Sequence, residues 1–177
     1  MIIVETPRLL LRDWRDSDVE PFRQLNADPE VMRYFLKPLS GAESEGFLDR
    51  IRAEIQSAGF GLYAVELKES GAFIGLLGFH VPTFEADFTP CVEIGWRLTR
   101  AAWGQGYATE AASACLTYGF EQLGFNEVYS FTSVPNKPSQ RVMQKIGMKF
   151  TGTFGHPKVE PGHPLYEHVL YRAARPS

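Results

Sequence analysis

The sequence has few cysteines, no long hydrophobic run and no recognisable export signal. Its two cysteines, Cys91 and Cys115, do not form a Cys-x-x-Cys pair, so we expect no structural zinc and no other metal centre. No apolar run approaches the ~20 residues that span a bilayer. The N-terminus also lacks the basic and apolar regions of a secretory signal. We therefore expect no membrane partner and a cytoplasmic location.

The charge of the chain is also mild. Its formal net charge is −3, and the basic residues form no continuous stripe, so we expect no nucleic-acid partner. The 177 residues, 44% of them apolar, suffice for one domain with a hydrophobic core. Repeats, low-complexity tracts and linkers are not visible. Residues 1–177 are therefore predicted to form a single domain.

Hydrophobic spacing predicts an α+β fold in which strands outnumber helices. Three consecutive strands without intervening helices indicate an antiparallel meander, and a later strand–helix–strand unit supplies a parallel pair. The first helix is predicted to begin at a capping box, Ser17-Asp18-Val19-Glu20. The predicted strands cover residues 8–14, 60–67, 73–81, 91–98, 128–132, 148–154 and 165–172, and the three later helices cover residues 42–58, 107–123 and 136–146.

The segment 103–111, Trp-Gly-Gln-Gly-Tyr-Ala-Thr-Glu-Ala, is the most informative in the chain. Two glycines just before a helix expose backbone N–H groups where the helix dipole adds positive potential, which favours a phosphate ligand. A Walker A loop is excluded because no Gly-x-x-x-x-Gly-Lys-Ser/Thr run occurs. A dinucleotide site is disfavoured because Thr109 replaces the third glycine and an antiparallel meander precedes the loop.

Segments before and after the glycine loop indicate which kind of phosphate-containing ligand it binds. Residues 92–98, 103–111 and 134–148, together with 6–12 and 163–171, resemble the GNAT superfamily of acyl-CoA-dependent N-acyltransferases in order and spacing. They look most like the branch containing the ribosomal-protein N-terminal alanine/serine acetyltransferases. The resemblance implies a GNAT-type fold: a central mixed, mostly antiparallel twisted sheet of about seven strands, with helices on both faces.

The resemblance also implies acetyl-CoA as cosubstrate. Its pyrophosphate would lie on residues 104–109, and its pantetheine amides would pair with the strand before the loop, which splays from the strand after it. Trp103 stands where the family pattern has Gln or Arg, so we expect backbone N–H groups to carry the phosphate contact. The expected cofactor-binding residues are Ile94, Trp96, Arg97, Leu98, Trp103, Gly104, Gln105, Gly106, Tyr107, Ala108, Thr109, Asn136 and Ser139.

The implied reaction is transfer of the acetyl group to a primary amine by direct attack on the thioester, so we expect an enzyme. An alkylamine is mostly protonated at neutral pH and must lose a proton first. Glu93 is the preferred general base, although a strand carboxylate can equally be solvated or ion-paired. His80 is a second candidate. Ser139 is the candidate acid for the thiolate unless it caps a helix, and a backbone N–H near Gly95–Trp96 is expected to bind the oxyanion.

The sequence leaves the acceptor and the assembly open. The acceptor is a small-molecule amine or a protein N-terminus. A non-catalytic acyl-CoA-binding or sensing module is an alternative function, and another acyl group, such as succinyl, is an alternative donor. A homodimer is a possible assembly because it is the commonest one, but no segment marks an interface.

Overall fold

An eight-stranded mixed sheet forms the centre of the molecule. The computed structural model describes residues 1–177. The strand order is β1-β2-β3-β4-β5-β6-β8-β7, and every neighbouring pair is antiparallel except β5 and β6. The strands are β1 (Ile2–Glu5), β2 (Leu9–Arg12), β3 (Leu62–Leu67), β4 (Phe73–His80), β5 (Glu93–Leu98), β6 (Glu127–Ser133), β7 (Lys149–Gly155) and β8 (Glu167–Ala174).

Four helices cover the two faces of this sheet: α1 (Val19–Ala27), α2 (Gly41–Ala58), α3 (Tyr107–Glu121) and α4 (Lys137–Lys145). Helix α3 buries its small and apolar side in the larger core, where Cys115 is fully buried as a small hydrophobic side chain. Helices α1 and α2 form a second core on the opposite face, with Leu76 of β4. The predicted mixed sheet with helices on both faces is thereby confirmed. No helix is both long and apolar enough to cross a bilayer.

One strand escaped prediction from the sequence. Strand β1 is only four residues long and forms the edge of the sheet, where Ile2 remains 54% exposed. Its apolar residues are contiguous and do not alternate with polar ones, so the period of two that marks a half-buried strand is absent. The sheet therefore has one strand more than the expected seven.

The capping box predicted at Ser17–Glu20 is wrong. Asp16–Asp18 form a 3₁₀ turn, and α1 begins only at Val19. The carboxylate of Asp18 accepts hydrogen bonds from the Arg15 N–H (2.8 Å) and from both terminal nitrogens of Arg12 (2.8 and 3.0 Å). The local sequence is therefore arranged around a buried ion cluster and not around a serine cap.

Candidate active site

Strands β5 and β6 pair over one short stretch and then separate. Glu93 and Tyr129 are the one pair of residues in parallel register. Here the Tyr129 N–H donates to the Val92 carbonyl (2.9 Å) and the Ser130 hydroxyl donates to the Ile94 carbonyl (2.9 Å). Beyond these bonds β5 stays paired with β4 alone. One edge of β5 therefore faces an opening in the sheet, as the family resemblance implies.

The backbone of Trp96 lies at this opening. Because the carbonyls of Val92 and Ile94 face β6, strand alternation directs the N–H and C=O of Trp96 to the same edge, where no strand meets them. A side-chain carbon added at Gly95 would contact nothing within 4 Å, so the face of the sheet that carries Glu93 is also open at this point. The gap can therefore hold an extended ligand that pairs with β5 as an added strand would.

Other residues of β5 that the sequence assigns to cofactor binding have partners elsewhere. The carbonyl of Leu98 accepts a hydrogen bond from the indole N–H of Trp103 at 2.9 Å. The side chain of Arg97 lies on the α1–α2 face, where its Nη1 is 2.5 Å from Asn26 Oδ1 and its guanidinium is 4.4 Å from the Phe35 ring centre. Burial lowers the pKa of Arg97 to about 10. The structure thus brings Trp96 to the gap but leaves Arg97 outside it.

The glycine loop presents a run of unpaired backbone donors. Gly104 and Gly106 both have left-handed φ angles, 73° and 80°. No N–H from Gly104 to Thr109 donates a hydrogen bond within the chain, and the first that does belongs to Glu110. The 15-residue helix α3 follows directly and adds the positive end of its dipole. Six consecutive free N–H groups at a helix start form a suitable seat for a phosphate.

The side chains of Trp103 and Gln105 form hydrogen bonds that hold the loop in its conformation. Trp103, 47% exposed, ties the loop to the end of β5 through its indole N–H. The Gln105 side chain donates to the Ala101 carbonyl at 3.1 Å. Both side chains therefore have partners within the chain, and phosphate contact by the backbone stays a prediction.

A latch that sequence reasoning missed joins the N-terminal segment to the start of α3. The Glu110 carboxylate accepts hydrogen bonds from the Thr6 hydroxyl (2.6 Å), the Arg8 N–H (3.0 Å) and Arg8 Nε (2.8 Å). Burial alone would raise the pKa of Glu110, but these hydrogen bonds outweigh burial and lower it. The Arg8 guanidinium also lies 4.4 Å from the Tyr107 ring centre and offsets the Glu110 charge beside the loop. In the sequence, the match of residues 6–12 to the family pattern was the one sign that Thr6 and Arg8 support the loop.

The start of α4 assigns different roles to Asn136 and Ser139. Asn136 is the N-cap: its Oδ1 accepts from the Ser139 N–H at 3.3 Å, and its Nδ2 donates to the Thr132 hydroxyl at 2.9 Å. The Ser139 hydroxyl, half-buried, makes no hydrogen bond within the chain. Capping therefore accounts for Asn136 and not for Ser139, whose hydroxyl is free for another partner.

Glu93 lies half-buried at the narrow end of the gap, on the face opposite α3. Its carboxyl group has no hydrogen bond or ion pair within the chain. Burial raises the pKa of Glu93 to about 8, and the negative charge of Glu54 adds to the shift. The ion-paired alternative left open by the sequence is therefore absent from the structure. An enclosed carboxyl without partners and with a shifted pKa is typical of functional sites.

Aromatic rings border Glu93 on the β6 side of the same face. Phe131 is two residues beyond Tyr129, the strand partner of Glu93. Burial lowers the pKa of His156 to about 4, with the charges of His168 and Lys158 adding to the shift, so this imidazole is neutral at physiological pH. The half-buried cluster, with ring centres 4.8 to 6.3 Å apart, comprises Phe84, Phe88, Phe131, Phe154, His156 and His168.

Two parallel strands that separate beside a glycine loop with free N–H groups are the arrangement that the resemblance implies for acyl-CoA-dependent transferases. Comparison with known families makes this specific. The acetyltransferase (GNAT) domain matches residues 8–149, and the chain belongs to this family of acyltransferases. The resemblance drawn from residues 92–98, 103–111 and 134–148 is thereby confirmed.

Known relatives show the same family and fold. The uncharacterised protein YkkB of Bacillus subtilis is 35% identical over 149 residues, which cover 84% of this chain and 86% of that protein. A GNAT-family acetyltransferase from Bacillus anthracis superposes with a TM-score of 0.81 at 26% identity, and 99% of each chain is covered. RimL, a ribosomal L7/L12 alpha-N-protein acetyltransferase solved with coenzyme A, has the same fold, with a TM-score of 0.80 at 18% identity and 98% of each chain covered.

Proposed function

We propose that this protein is an acetyl-CoA-dependent N-acetyltransferase that transfers the acetyl group to a primary amine in the gap between β5 and β6. The observation that carries the proposal is the separation of these strands at Trp96, next to six unpaired N–H groups at residues 104–109. The test is release of free coenzyme A thiol from acetyl-CoA, which must depend on added amine.

The residues around the gap fit the parts of acetyl-CoA. The N–H groups of residues 104–109 would bind the pyrophosphate, and the free N–H and C=O of Trp96 would pair with a pantetheine amide. Asn136 and the free hydroxyl of Ser139, at the start of α4, would border the arm near the sulfur. Arg97 is left out of this set because its side chain lies on the other face with Asn26.

Glu93 is the proposed general base. It would take a proton from the substrate ammonium, and the neutral nitrogen would then attack the thioester carbon. A backbone N–H near Gly95–Trp96 would stabilise the oxyanion, after which the carbon–sulfur bond breaks and the thiolate leaves. The Ser139 hydroxyl is the proposed proton donor to that thiolate, and the second proton that the nitrogen loses as it becomes an amide nitrogen restores this hydroxyl. General-base assistance of this kind is worth about 10²–10⁴-fold in rate.

The activity should rise with pH through the titration of Glu93. Because its pKa is raised to about 8, the carboxyl is mostly protonated below that pH and cannot accept a proton. We expect kcat/KM to rise from about pH 6, to reach half of its maximum near pH 8 and to level off above it, since kcat/KM reports groups of the free enzyme. Thiol release measured across this range, with a Glu93→Gln profile to subtract the titration of the amine, checks the prediction. A flat difference profile would remove Glu93 from the mechanism.

Changing Gly106 to Ala should weaken acetyl-CoA binding. Gly106 has φ 80° directly before α3, and a side chain in this conformation costs about 1–2 kcal/mol. If the loop shifts to relieve the strain, KM for acetyl-CoA should rise about tenfold while kcat changes little. Gly124→Ala is the matched control because Gly124 has φ 73° just beyond the other end of α3. Equal KM values in the two variants would separate the loop from cofactor binding.

The acceptor is proposed to be a protein N-terminus or a small amine that enters over the aromatic cluster beside Glu93. The likeness to RimL supports an N-terminal amine, and the half-buried rings favour an acceptor with an apolar group next to the amine. Peptides with varied first residues, assayed beside small aliphatic and aromatic amines, would separate the two classes by kcat/KM.

A further inference from the structure

Two further titratable side chains, Glu54 and His80, lie next to Glu93. Glu54, on α2, places its Oε2 2.8 Å from His80 Nδ1, and its Oε1 accepts from the Val81 N–H at 3.0 Å. A carboxylate only accepts hydrogen bonds, so the proton of the neutral imidazole lies on Nδ1 and Nε2 carries the lone pair. His80 Nε2 has no hydrogen-bond partner within the chain. Glu54 thus holds His80 in the tautomer that can accept a proton.

This pair shares a face of the sheet with Glu93. His80 and Glu93 are opposite residues on adjacent antiparallel strands, which brings their side chains to about 5 Å at the Cβ atoms. Glu54 is also near enough for its charge to act on Glu93. Both residues are half-buried, and 40% of the His80 side chain is exposed to solvent. His80 is therefore a neighbouring proton acceptor for Glu93 that also reaches solvent.

A proton taken up by Glu93 must leave before the next turnover, because each acetylation releases one proton overall: an ammonium and a thioester become an amide, a thiol and H⁺. We infer that Glu54 and His80 form a proton-releasing pair for Glu93. His80 Nε2 takes the proton from the Glu93 carboxylic acid, Glu54 stabilises the resulting imidazolium through Nδ1–H, and the imidazolium releases the proton to water. The carboxylate of Glu93 is restored for the next turnover. This inference rests on the proposed acetyltransferase function.

The test compares His80→Ala and Glu54→Gln with wild type in the thiol-release assay. We expect kcat to fall about 10- to 100-fold in His80→Ala, with KM for acetyl-CoA unchanged, and to fall less in Glu54→Gln, which keeps an acceptor for the Val81 N–H. Added imidazole should restore most of the His80→Ala rate. Rescue is a readout that a purely structural role would not produce. Glu121→Gln, an exposed carboxyl on α3, is the control for loss of a negative charge.

The outcomes separate this inference from the function on which it rests. Wild type that fails to release thiol with any amine overturns both. Active wild type with a His80→Ala kcat within about twofold of it, or a loss that imidazole does not rescue, overturns the proton-releasing pair alone. If His80→Ala does not fold by circular dichroism, Glu54→Gln decides: a wild-type kcat in that variant overturns the role of the pair.

Discussion

Replacing Glu93 with Gln is expected to lower kcat about 100-fold or more while KM for acetyl-CoA stays within about twofold. The amide keeps the size of the side chain but accepts no proton at neutral pH. The carboxyl group lies where β5 and β6 begin to separate, three residues before Trp96 on the same strand, so its loss should affect the chemical step and not cofactor binding. Steady-state thiol release over a range of acetyl-CoA concentrations separates kcat from KM.

The same variant should also change how stability depends on pH. The pKa of Glu93 is raised from its ordinary value of 4.5 to about 8 in the folded protein. Between these two pH values the folded protein therefore keeps a proton that the unfolded chain has lost. Wild-type stability should therefore fall as pH rises toward and through about 8, and Glu93→Gln should lose this dependence. Tm measured at a pH near the ordinary glutamate pKa of 4.5 and again above pH 8, with Glu121→Gln as control, checks the sign.

A Glu93→Gln enzyme with near-normal kcat would exclude Glu93 as the base.

Replacing Asp18 with Asn is expected to cost about 3–5 kcal/mol of unfolding free energy. Asp18 and Arg12 are each 3% exposed in their side chains, and Arg12 Nε also contacts the Glu66 carboxylate. These residues join β2, the start of α1 and β3. With Asp18 neutral, the bidentate partner of a buried guanidinium is lost, and the remaining hydrogen bonds do not replace it.

Urea unfolding gives the free-energy difference for this variant. Glu45→Gln is the matched control, because Glu45 forms a 2.7 Å ion pair with Arg23 in which the side chains are 51% and 41% exposed. Exposed pairs are worth roughly 0–1 kcal/mol, so the control should unfold close to wild type. Equal unfolding free energies for Asp18→Asn and Glu45→Gln would show that the buried cluster does not stabilise this fold.

The elements that alternation and periodicity mark clearly could be predicted from the sequence. Strand β5 alternates regularly, so the sequence already placed Glu93 on the face opposite Ile94. The glycine pair before a small-residue helix likewise predicted the loop and α3. Strand β1 was missed because edge strands carry little alternation. The capping box at Ser17–Glu20 was wrong because Asp18, a position that the motif does not use, pairs with Arg12 and Arg15, and local spacing does not show these partners.

Side-chain contacts between residues far apart in the sequence could not be predicted for the site. Glu54 sits 39 positions before Glu93 on an amphipathic helix, where a glutamate usually means a solvated surface. Only the packing of α2 against β4 shows that it reaches His80. The latch between Arg8 and Glu110 spans 102 positions and is equally invisible to local pattern. Asn136 was ambiguous because the same amide can cap α4 or meet a ligand.

The most direct test of the central claim is amine-dependent release of free thiol from acetyl-CoA by the wild-type protein, with the acetylated product quantified in the same reaction. The panel should contain small amines and peptides with free N-termini, and succinyl-CoA should replace acetyl-CoA in parallel. We expect thiol release that requires amine and equals the acetylated product mole for mole. Saturable acetyl-CoA binding by calorimetry without thiol release from any member of the panel would contradict an acetyltransferase and indicate a non-catalytic acyl-CoA-binding module.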